Sequence, residues 1–455
     1  MAAPPVPGHP RRDGPASRGW SSASSAAARL TASSSSAPEC RAWPPARRCR
    51  LPGSASPSSK PGRAIGGRIH TSSAWPDLPI DLGASWIHGV DGNPVTELAT
   101  QAGVRLVPTS YDSSELHIDP ALSAAGVADA GEDDAEALFE RAIAAANNLD
   151  ADVSIADALA AVAPPASLSV AQRAQLDFFV SANYEQEYSG SARTMSAWTI
   201  DDNEEFAGGD ALLSGGYAQI TELLGRGLDI RLGRRVTEVR WSDRNASVVL
   251  GDGTVLEASD VIVTVPLGVL KTNAITFDPP LPEPVRRAVD RLGMGLLNKH
   301  WLRFDTVRWP SDIDWHEYLG PSTRWSEWVS LATIGAPVLL VFSAADAADE
   351  IERLEDRAIV AEAMAVARTM FGADLPDPVA TQITRWRSDP LALGSYSFNA
   401  VGSSNADRRA LARGTGLSLH FAGEAASQRY PGTVHGALLS GRQAAARLIT
   451  ERQRR

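Results

Sequence analysis

The chain has 455 residues, 44% of them hydrophobic, and carries 43 basic and 54 acidic side chains, for a formal net charge of −11. This length allows two domains and a large core. The negative charge argues against general binding to nucleic acid, because the phosphate backbone would repel the protein.

The cysteines and histidines predict neither a disulfide framework nor a metal site. Cys40 and Cys49 are the only cysteines and do not form a CxxC motif, and the eight histidines show no HExxH spacing. No apolar run approaches the roughly 20 residues of a membrane-spanning helix. We therefore expect a cytoplasmic protein with no metal, no membrane span and no nucleic-acid partner.

Residues 1–62 differ in composition from everything that follows. They are rich in Ser, Pro, Ala and Arg, and their only acidic residues are Asp13 and Glu39. Such a segment buries too little apolar surface to offset the entropy lost on ordering. It is typical of a disordered tail or of an organellar transit peptide.

From residue 65 the pattern becomes that of a globular protein. The apolar spacing predicts, in chain order, a helix at 134–148, a helix that opens at 215–217, short strands between 228 and 256, a buried strand at 261–265, strands at 298–304 and 338–343, and a helix near 355–371. A continuous apolar strand such as 261–265 is typical of a parallel sheet. The alternation of strands and helices predicts an α/β fold built from non-contiguous segments.

Residues 419–441 (LHFAGEAASQRYPGTVHGALLSG) form the most informative stretch. The pattern predicts a buried strand, a Gly-Glu turn, a polar loop and a helix that opens on small residues. Glycine allows backbone to approach a ligand closely, and a helix N-terminus attracts an anionic or electron-rich group. The stretch therefore predicts part of a cofactor site.

Six segments, in this order, resemble the flavin amine oxidases, the family of polyamine oxidases, monoamine oxidases and related histone demethylases. They are residues 65–71 (IGGRIHT), 83–89 (GASWIHG), 235–239 (RVTEV), 295–299 (GLLNK), 386–397 (WRSDP and GSYS) and 419–441. One such segment alone would be a weak signal, but six in the family's order are specific.

The resemblance implies a two-domain FAD-dependent amine oxidase fold, with a Rossmann-like FAD domain and a mixed-sheet substrate domain. It assigns residues 65–105, 213–270 and 412–455 to the FAD domain. Residues 106–212 and 271–411 form the substrate domain, and residues 1–64 belong to neither.

The resemblance also implies FAD as the cofactor. No cysteine lies near Ser395, where covalently flavinylated members carry one, so noncovalent binding is expected. Glycines at 66 and 67 allow close approach to the diphosphate, and Arg68 offers it a forked donor. The full set of cofactor-binding residues is Gly66, Gly67, Arg68, Gly83, Ala84, Trp86, Val236, Trp386, Gly423, Glu424, Thr433 and Val434.

Lys299 matches the family's active-site lysine, which holds a water against flavin N5. Tyr396 and Tyr430 match the two aromatic residues that flank the substrate amine, and aromatic faces attract cations. His88 lies where polyamine oxidases place a polar group for a substrate nitrogen. The plainer interpretations are a salt-bridged lysine, two core tyrosines and a structural histidine, and for His88 the two interpretations have equal weight.

One part of the family pattern is absent from the printed sequence. A dinucleotide-binding fold begins with a strand, GxGxxG and a helix, and no GxGxxG precedes residue 65. A shifted reading frame joins the third base of each codon for residues 33–64 to the first two bases of the next codon. The amino acids that this frame allows include the sequence VVVGAGMSGLAA followed by AGVSVTVLEAR. We therefore interpret the residues before about 64 as a wrong-frame translation, with a genuine low-complexity tail as the alternative.

The function implied is FAD-dependent oxidation of a polyamine-like amine by hydride transfer to flavin N5. The resulting imine hydrolyses, and O2 is reduced to hydrogen peroxide; the cofactor carries the hard step, while protein supplies position and electrostatics. One alternative is an L-amino-acid oxidase of the same fold, for which we find no arginine to bind the substrate carboxylate. A second is a flavin-deficient, inactive protein, because the GxGxxG segment is missing.

Overall fold

The structure is a computed structural model, and it describes residues 65–127, 132–200 and 202–454. The segment interpreted above as a tail or a wrong-frame translation lies outside these residues. The helices are α1 (Pro94–Ala102), α2 (Pro120–Ala124), α3 (Glu132–Ala146), α4 (Ile155–Val162), α5 (Val170–Val180), α6 (Gln186–Tyr188), α7 (Ala218–Gly225), α8 (Leu267–Lys271), α9 (Glu283–Arg291), α10 (Ala345–Ile351), α11 (Asp356–Phe371), α12 (Asn405–Arg413) and α13 (Val434–Arg454).

The strands are β1 (Thr71–Ser72), β2 (Ile80–Asp81), β3 (Trp86–Ile87), β4 (Leu106–Thr109), β5 (Ser114–Ile118), β6 (Asp210–Leu213), β7 (Val236–Trp241), β8 (Ala246–Leu250), β9 (Val255–Ala258), β10 (Val261–Val263), β11 (Thr276–Asp278), β12 (Gly293–Met294), β13 (Leu297–Arg303), β14 (Trp315–Leu319), β15 (Glu327–Ser330), β16 (Val338–Ala344), β17 (Ala380–Ile383), β18 (Ser397–Phe398) and β19 (Leu419–Phe421).

A parallel pair of strands joins the middle of the chain to its C-terminal part. β10 pairs with β19 in the register Val261↔Leu419 to Val263↔Phe421. The apolar side chains of both strands pack in one core cluster with β7, β8 and α9. This confirms the parallel strand predicted from the continuous apolar run.

A six-stranded sheet in the order β17-β13-β16-β15-β14-β5 forms the largest sheet of the described residues. Its neighbours are antiparallel except for β14 and β5, which run parallel. Every residue of β16 is buried, because α11 covers one face of the sheet and residues 75–82 cover the other. Side chains alternate between the faces of a strand, so Lys299 and Trp301 on β13 lie on the face opposite α11.

Two of the smaller sheets cross the domain boundaries predicted from the sequence. β4 and β6 pair with each other, and β6 also pairs with β3. In the other sheet, β11 pairs with β7 across residue 270. Helices α9 and α12 likewise contribute to the core cluster around β10 and β19.

No helix within residues 65–127, 132–200 and 202–454 has both the length and the apolar character that crossing a lipid bilayer requires.

Candidate active site

Lys299 is buried at the start of β13, with 5% of the residue exposed. Its Nζ donates hydrogen bonds to the backbone oxygen of Gly83 at 2.6 Å and to Oγ of Ser85 at 2.5 Å. The same nitrogen lies 5.1 Å from the centre of the Trp86 ring. The segment 83–86 therefore holds the lysine amine through uncharged groups and an aromatic face.

Burial lowers the pKa of Lys299 from 10.5 to about 7, although Asp81 favours the charged form. Burial also raises the pKa of the Asp81 carboxyl to about 6, against the hydrogen bond from Thr71 and the backbone N–H of Tyr217. An amine with a pKa near neutrality can hold or release a proton at physiological pH, which is the property expected of a group that handles protons.

Trp386 is fixed beside the same segment by a buried polar network. Its indole Nε1 donates to the backbone oxygen of Leu82 at 3.3 Å, and its backbone N–H donates to Oδ1 of Asn298 at 3.0 Å. Asn298 is fully buried and donates in turn to Glu352 at 2.7 Å. The residue next to Lys299 thus positions the tryptophan predicted to contact the flavin.

Residues 66–69 form a tight turn against residues 82–84. The backbone N–H of Ile69 donates to the oxygen of Gly66, and Gly66 and Gly67 both have positive φ. The N–H of Ala84 donates to the oxygen of Arg68 at 3.0 Å. A Cβ on Gly83 would lie 1.8 Å from that oxygen, so the contact excludes any other residue at position 83.

Glu424 is the centre of a buried charged network. Its Oε1 accepts from Nη1 of Arg68 at 2.8 Å, and its Oε2 accepts from Oγ of Ser397 at 2.6 Å and from the N–H of Gly432 at 3.0 Å. Burial alone would raise the pKa of Glu424. Arg68, Ser397 and the fully buried Arg408 outweigh that effect and hold the pKa below its ordinary value.

A small cavity lies beside this network. Three predicted cofactor-binding residues line it, namely Arg68, Gly423 and Glu424, together with apolar residues of β10, α8 and β19. Gly423 has a φ of +140°, and a Cβ at this position would meet nothing within 4 Å. The space next to this backbone fits the close approach of a ligand, so the wall is compatible with part of a flavin dinucleotide.

The two predicted aromatic residues lie on either side of the Pro-Gly turn at 431–432. Tyr430 is buried and stacks on Phe206, with ring centres 4.8 Å apart. Tyr396 donates from its hydroxyl to the backbone oxygen of Gln186 at 2.8 Å, and its ring borders Gly432. Both rings are thus fixed by contacts from distant segments.

His88 is half exposed, and its Nδ1 lies 2.7 Å from Oδ2 of Asp210. Partial desolvation of the ring opposes its protonation, but Asp210, Glu187 and Glu205 outweigh this effect and raise the pKa of His88 above its ordinary value. The carboxylate of Glu187 also helps to raise the pKa of the Tyr396 hydroxyl. His88 is therefore surrounded by the negative charges of Asp210, Glu187 and Glu205.

The last three predicted cofactor-binding residues lie on two elements. Thr433 caps α13, because its Oγ1 accepts from the N–H of Gly436 at 2.9 Å, and Val434 is the first residue of that helix. Val236 opens β7 beside an irregularity in its pairing with β8. It packs in the cluster that includes Val263 and Phe421 of the cavity wall.

Several residues of the site were not predicted from the sequence. Each of them contacts the site through residues that are distant in the chain or through backbone atoms. They are Asp81, Ser85, Phe206, Asn298 and Arg408. The sequence offers one signal for such residues, which is an arginine near the predicted Glu424. Spacing in the sequence does not show that this arginine is Arg408 or that it is buried.

The sequence model of the family described as "Flavin containing amine oxidoreductase" matches residues 63–449. The chain belongs to this family of flavin-dependent amine oxidases, and it therefore uses FAD to oxidise an amine. The resemblance, the fold and the cofactor predicted from the sequence are confirmed.

Curated relatives support the same family assignment. The chain is 35% identical to Polyamine oxidase 4 of Oryza sativa subsp. japonica over 84% of this chain and 81% of the relative. It is 35% identical to Polyamine oxidase 2 of Arabidopsis thaliana over 84% and 80% of the two chains. It is 33% identical to Lysine-specific histone demethylase 1 homolog 2 of Oryza sativa subsp. japonica over 85% of this chain and 53% of that protein.

Among solved structures, wild-type putrescine oxidase bound to putrescine is similar, with a TM-score of 0.66 and 19% identity over 85% of this chain and 92% of that chain. A triple mutant of putrescine oxidase gives a TM-score of 0.68 and 20% identity over 86% and 92% of the two chains. These similarities support the amine oxidase fold.

Proposed function

We propose that this flavin-dependent oxidase acts on a small polyamine-like amine, with O2 as the final electron acceptor and hydrogen peroxide as a product. The curated relatives named above as polyamine oxidases support this substrate class. The alternative of an L-amino-acid oxidase finds no support in them.

The observation that carries the proposal is the buried amine of Lys299, held by Gly83, Ser85 and Trp86. FAD, when bound, supplies a two-electron acceptor for the substrate. Lys299 would hold a water molecule at Nζ, and its pKa of about 7 allows that nitrogen to exchange a proton with the water.

Tyr396 and Tyr430 would confine the substrate amine between their rings. A protonated amine is attracted to an aromatic face, and both rings are held in place, Tyr430 by Phe206 and Tyr396 by Gln186. The carboxylates near His88 would attract the further ammonium groups of a polyamine. His88 itself would contact a substrate nitrogen.

We assign FAD to the residues predicted from the sequence, with Arg68, Gly423 and Glu424 at the cavity wall and the N-terminus of α13 beside them. Binding would be noncovalent, because the cysteines of this chain are Cys40 and Cys49 and neither is near Ser395 in the sequence. Acid precipitation tests this, since noncovalent FAD stays in the supernatant and covalent flavin precipitates with the protein.

The two-domain division and the cytoplasmic location are parts of the same proposal. The pairing of β10 with β19 supports an FAD domain built from separated segments, and the six-stranded sheet supports a substrate domain that includes β5 and β13–β17. Because α9 and α12 pack in the core around β10 and β19, we assign both helices to the FAD domain. Limited proteolysis tests the division, and cell fractionation tests the location.

The substrate class is tested by peroxide release from putrescine, spermidine, spermine and an L-amino acid, each with the purified flavoprotein. We expect peroxide from at least one polyamine and none from the amino acid. Oxidation of the amino acid alone would reject the proposed substrate class while leaving the flavin chemistry intact.

A further inference from the structure

Three side chains outside the candidate active site converge on one point. The Nε2 of His117 and the Nδ1 of His316 are 3.3 Å apart, and Oε2 of Glu115 lies 3.6 Å from each nitrogen. The point equidistant from these three atoms lies about 2 Å from each, which matches the bond lengths of zinc to histidine nitrogen and carboxylate oxygen. The three atoms are thus already spaced as ligands of one ion.

The pairing of two strands creates this arrangement. β5 and β14 run parallel with His316 opposite Glu115, and His117 lies two residues along β5 on the same face. The sequence does not reveal this site, because the two histidines are 199 positions apart and form no recognisable metal-binding motif.

The surroundings suit an ion that enters from solvent. The side chain of His316 is fully buried, that of His117 is 17% exposed and that of Glu115 is 44% exposed. Phe371 packs edge-on against both imidazole rings and shields one side. Among the described residues, Nε2 of His316 has no hydrogen-bond partner, so the proton can reside there and leave the lone pair of Nδ1 for a metal.

We propose that Glu115, His117 and His316 form a binding site for a divalent transition metal, with Zn²⁺ as the ion that the donor set favours. Two imidazole nitrogens and one carboxylate oxygen suit zinc better than Mg²⁺ or Ca²⁺, which prefer ligand sets made of oxygen. A water molecule completes the fourth position on the exposed side.

The metal site is separate from the candidate active site. His316 lies on the α11 face of the six-stranded sheet, whereas Trp315 lies on the opposite face and stacks near Trp86. Zinc would join the edge strand β5 to β14 and so stabilise that edge. Its binding does not depend on flavin or substrate, so its test is independent of the proposed function.

The test is a titration of the full-length, metal-free protein with Zn²⁺, followed by equilibrium dialysis and elemental analysis. Cys40 and Cys49 could bind zinc as thiolates, so both are replaced by serine in every protein compared. We expect one zinc per chain and a higher melting temperature with zinc than without it.

His117→Gln removes one ligand with little change in shape, and Glu115→Gln removes the exposed ligand. We expect His117→Gln to weaken zinc binding by about 100-fold or more and to abolish the thermal shift. Glu257→Gln, which removes an exposed carboxylate from β9, is the matched control and should bind zinc as the parent does. Melting without zinc shows that each variant is folded.

Absence of stoichiometric zinc in the parent protein would overturn the proposal. Equal zinc binding by the parent and by a folded His117→Gln variant would overturn it as well, because the metal would then lie elsewhere.

Discussion

Arg68 donates a hydrogen bond of 2.8 Å from Nη1 to Oε1 of Glu424, although 356 residues separate them in the chain. The bond joins the glycine-rich turn at 66–69 to the Gly-Glu turn after β19. Both turns belong to segments that resemble the flavin-binding parts of the family, and both border the small cavity beside Glu424. The charged pair therefore fixes the relative position of two walls of the proposed cofactor site.

Replacement of Glu424 by glutamine should destabilise the protein strongly. The change leaves Arg68 without its carboxylate partner and removes one of the two carboxylates, Glu424 and Asp407, that favour the charge of the fully buried Arg408. Removal of one member of a buried ion pair costs about 3–5 kcal/mol. Denaturant unfolding measures the loss. Glu257→Gln, at an exposed position, should change the free energy of unfolding by no more than about 0.5 kcal/mol. Equal effects of the two changes would show that Glu424 does not balance the buried arginines.

Lys299→Met should lower kcat by about 100-fold, because it removes the buried amine that we propose exchanges a proton with the bound water. Steady-state peroxide release with a polyamine measures the effect on protein whose flavin content has been matched to wild type. Lys271→Met is the control, since Lys271 bonds to the backbone oxygen of Asp290 on α9 and should be dispensable. An unchanged kcat in Lys299→Met would remove the proposed role of this residue.

The lowered pKa of Lys299 predicts a pH dependence of stability. Between pH 7 and 10.5 the unfolded chain binds a proton at this lysine and the folded chain does not, so stability rises with pH across this window. The gain is at most about 1.4 kcal/mol per pH unit. Unfolding from about pH 8 to 9.5 should show this rise in wild type and in Glu257→Gln, and a smaller rise in Lys299→Met. Parallel curves for all three proteins would contradict a lowered pKa at Lys299.

Asp210→Asn should lower the pKa of His88. Asp210 holds the imidazole at 2.7 Å and is the strongest of the carboxylates that favour its protonation. Proton NMR of the histidine ring signals, assigned with His88→Gln, measures the change. A His88 titration unaffected by Asp210→Asn would show that the contact does not govern its charge.

The sequence was sufficient to predict the local elements and the family. The apolar run at 261–265 became β10, the periodic pattern near 355–371 became α11, and the stretch 419–441 became β19, a turn and the first part of α13. Each of these depends on local periodicity or turn chemistry, which a single sequence displays.

The partners of the site residues could not be predicted in this way. Asp81 influences Lys299 from another strand, Phe206 stacks on Tyr430, and Glu115 meets His316 only because β5 pairs with β14. Such contacts arise from tertiary packing between segments 100 or more residues apart, and composition and spacing contain no record of them.

We propose that electrons pass from a bound amine to FAD held by the segments that contain Lys299 and Tyr430. The most direct test is the visible spectrum of the purified protein without oxygen, before and after addition of spermine or spermidine, using a gene translated in the shifted frame before residue 64. We predict a yellow protein that the amine bleaches and that regains its colour in air. A protein that stays colourless when FAD is supplied, or a yellow protein that no polyamine bleaches, would contradict the claim.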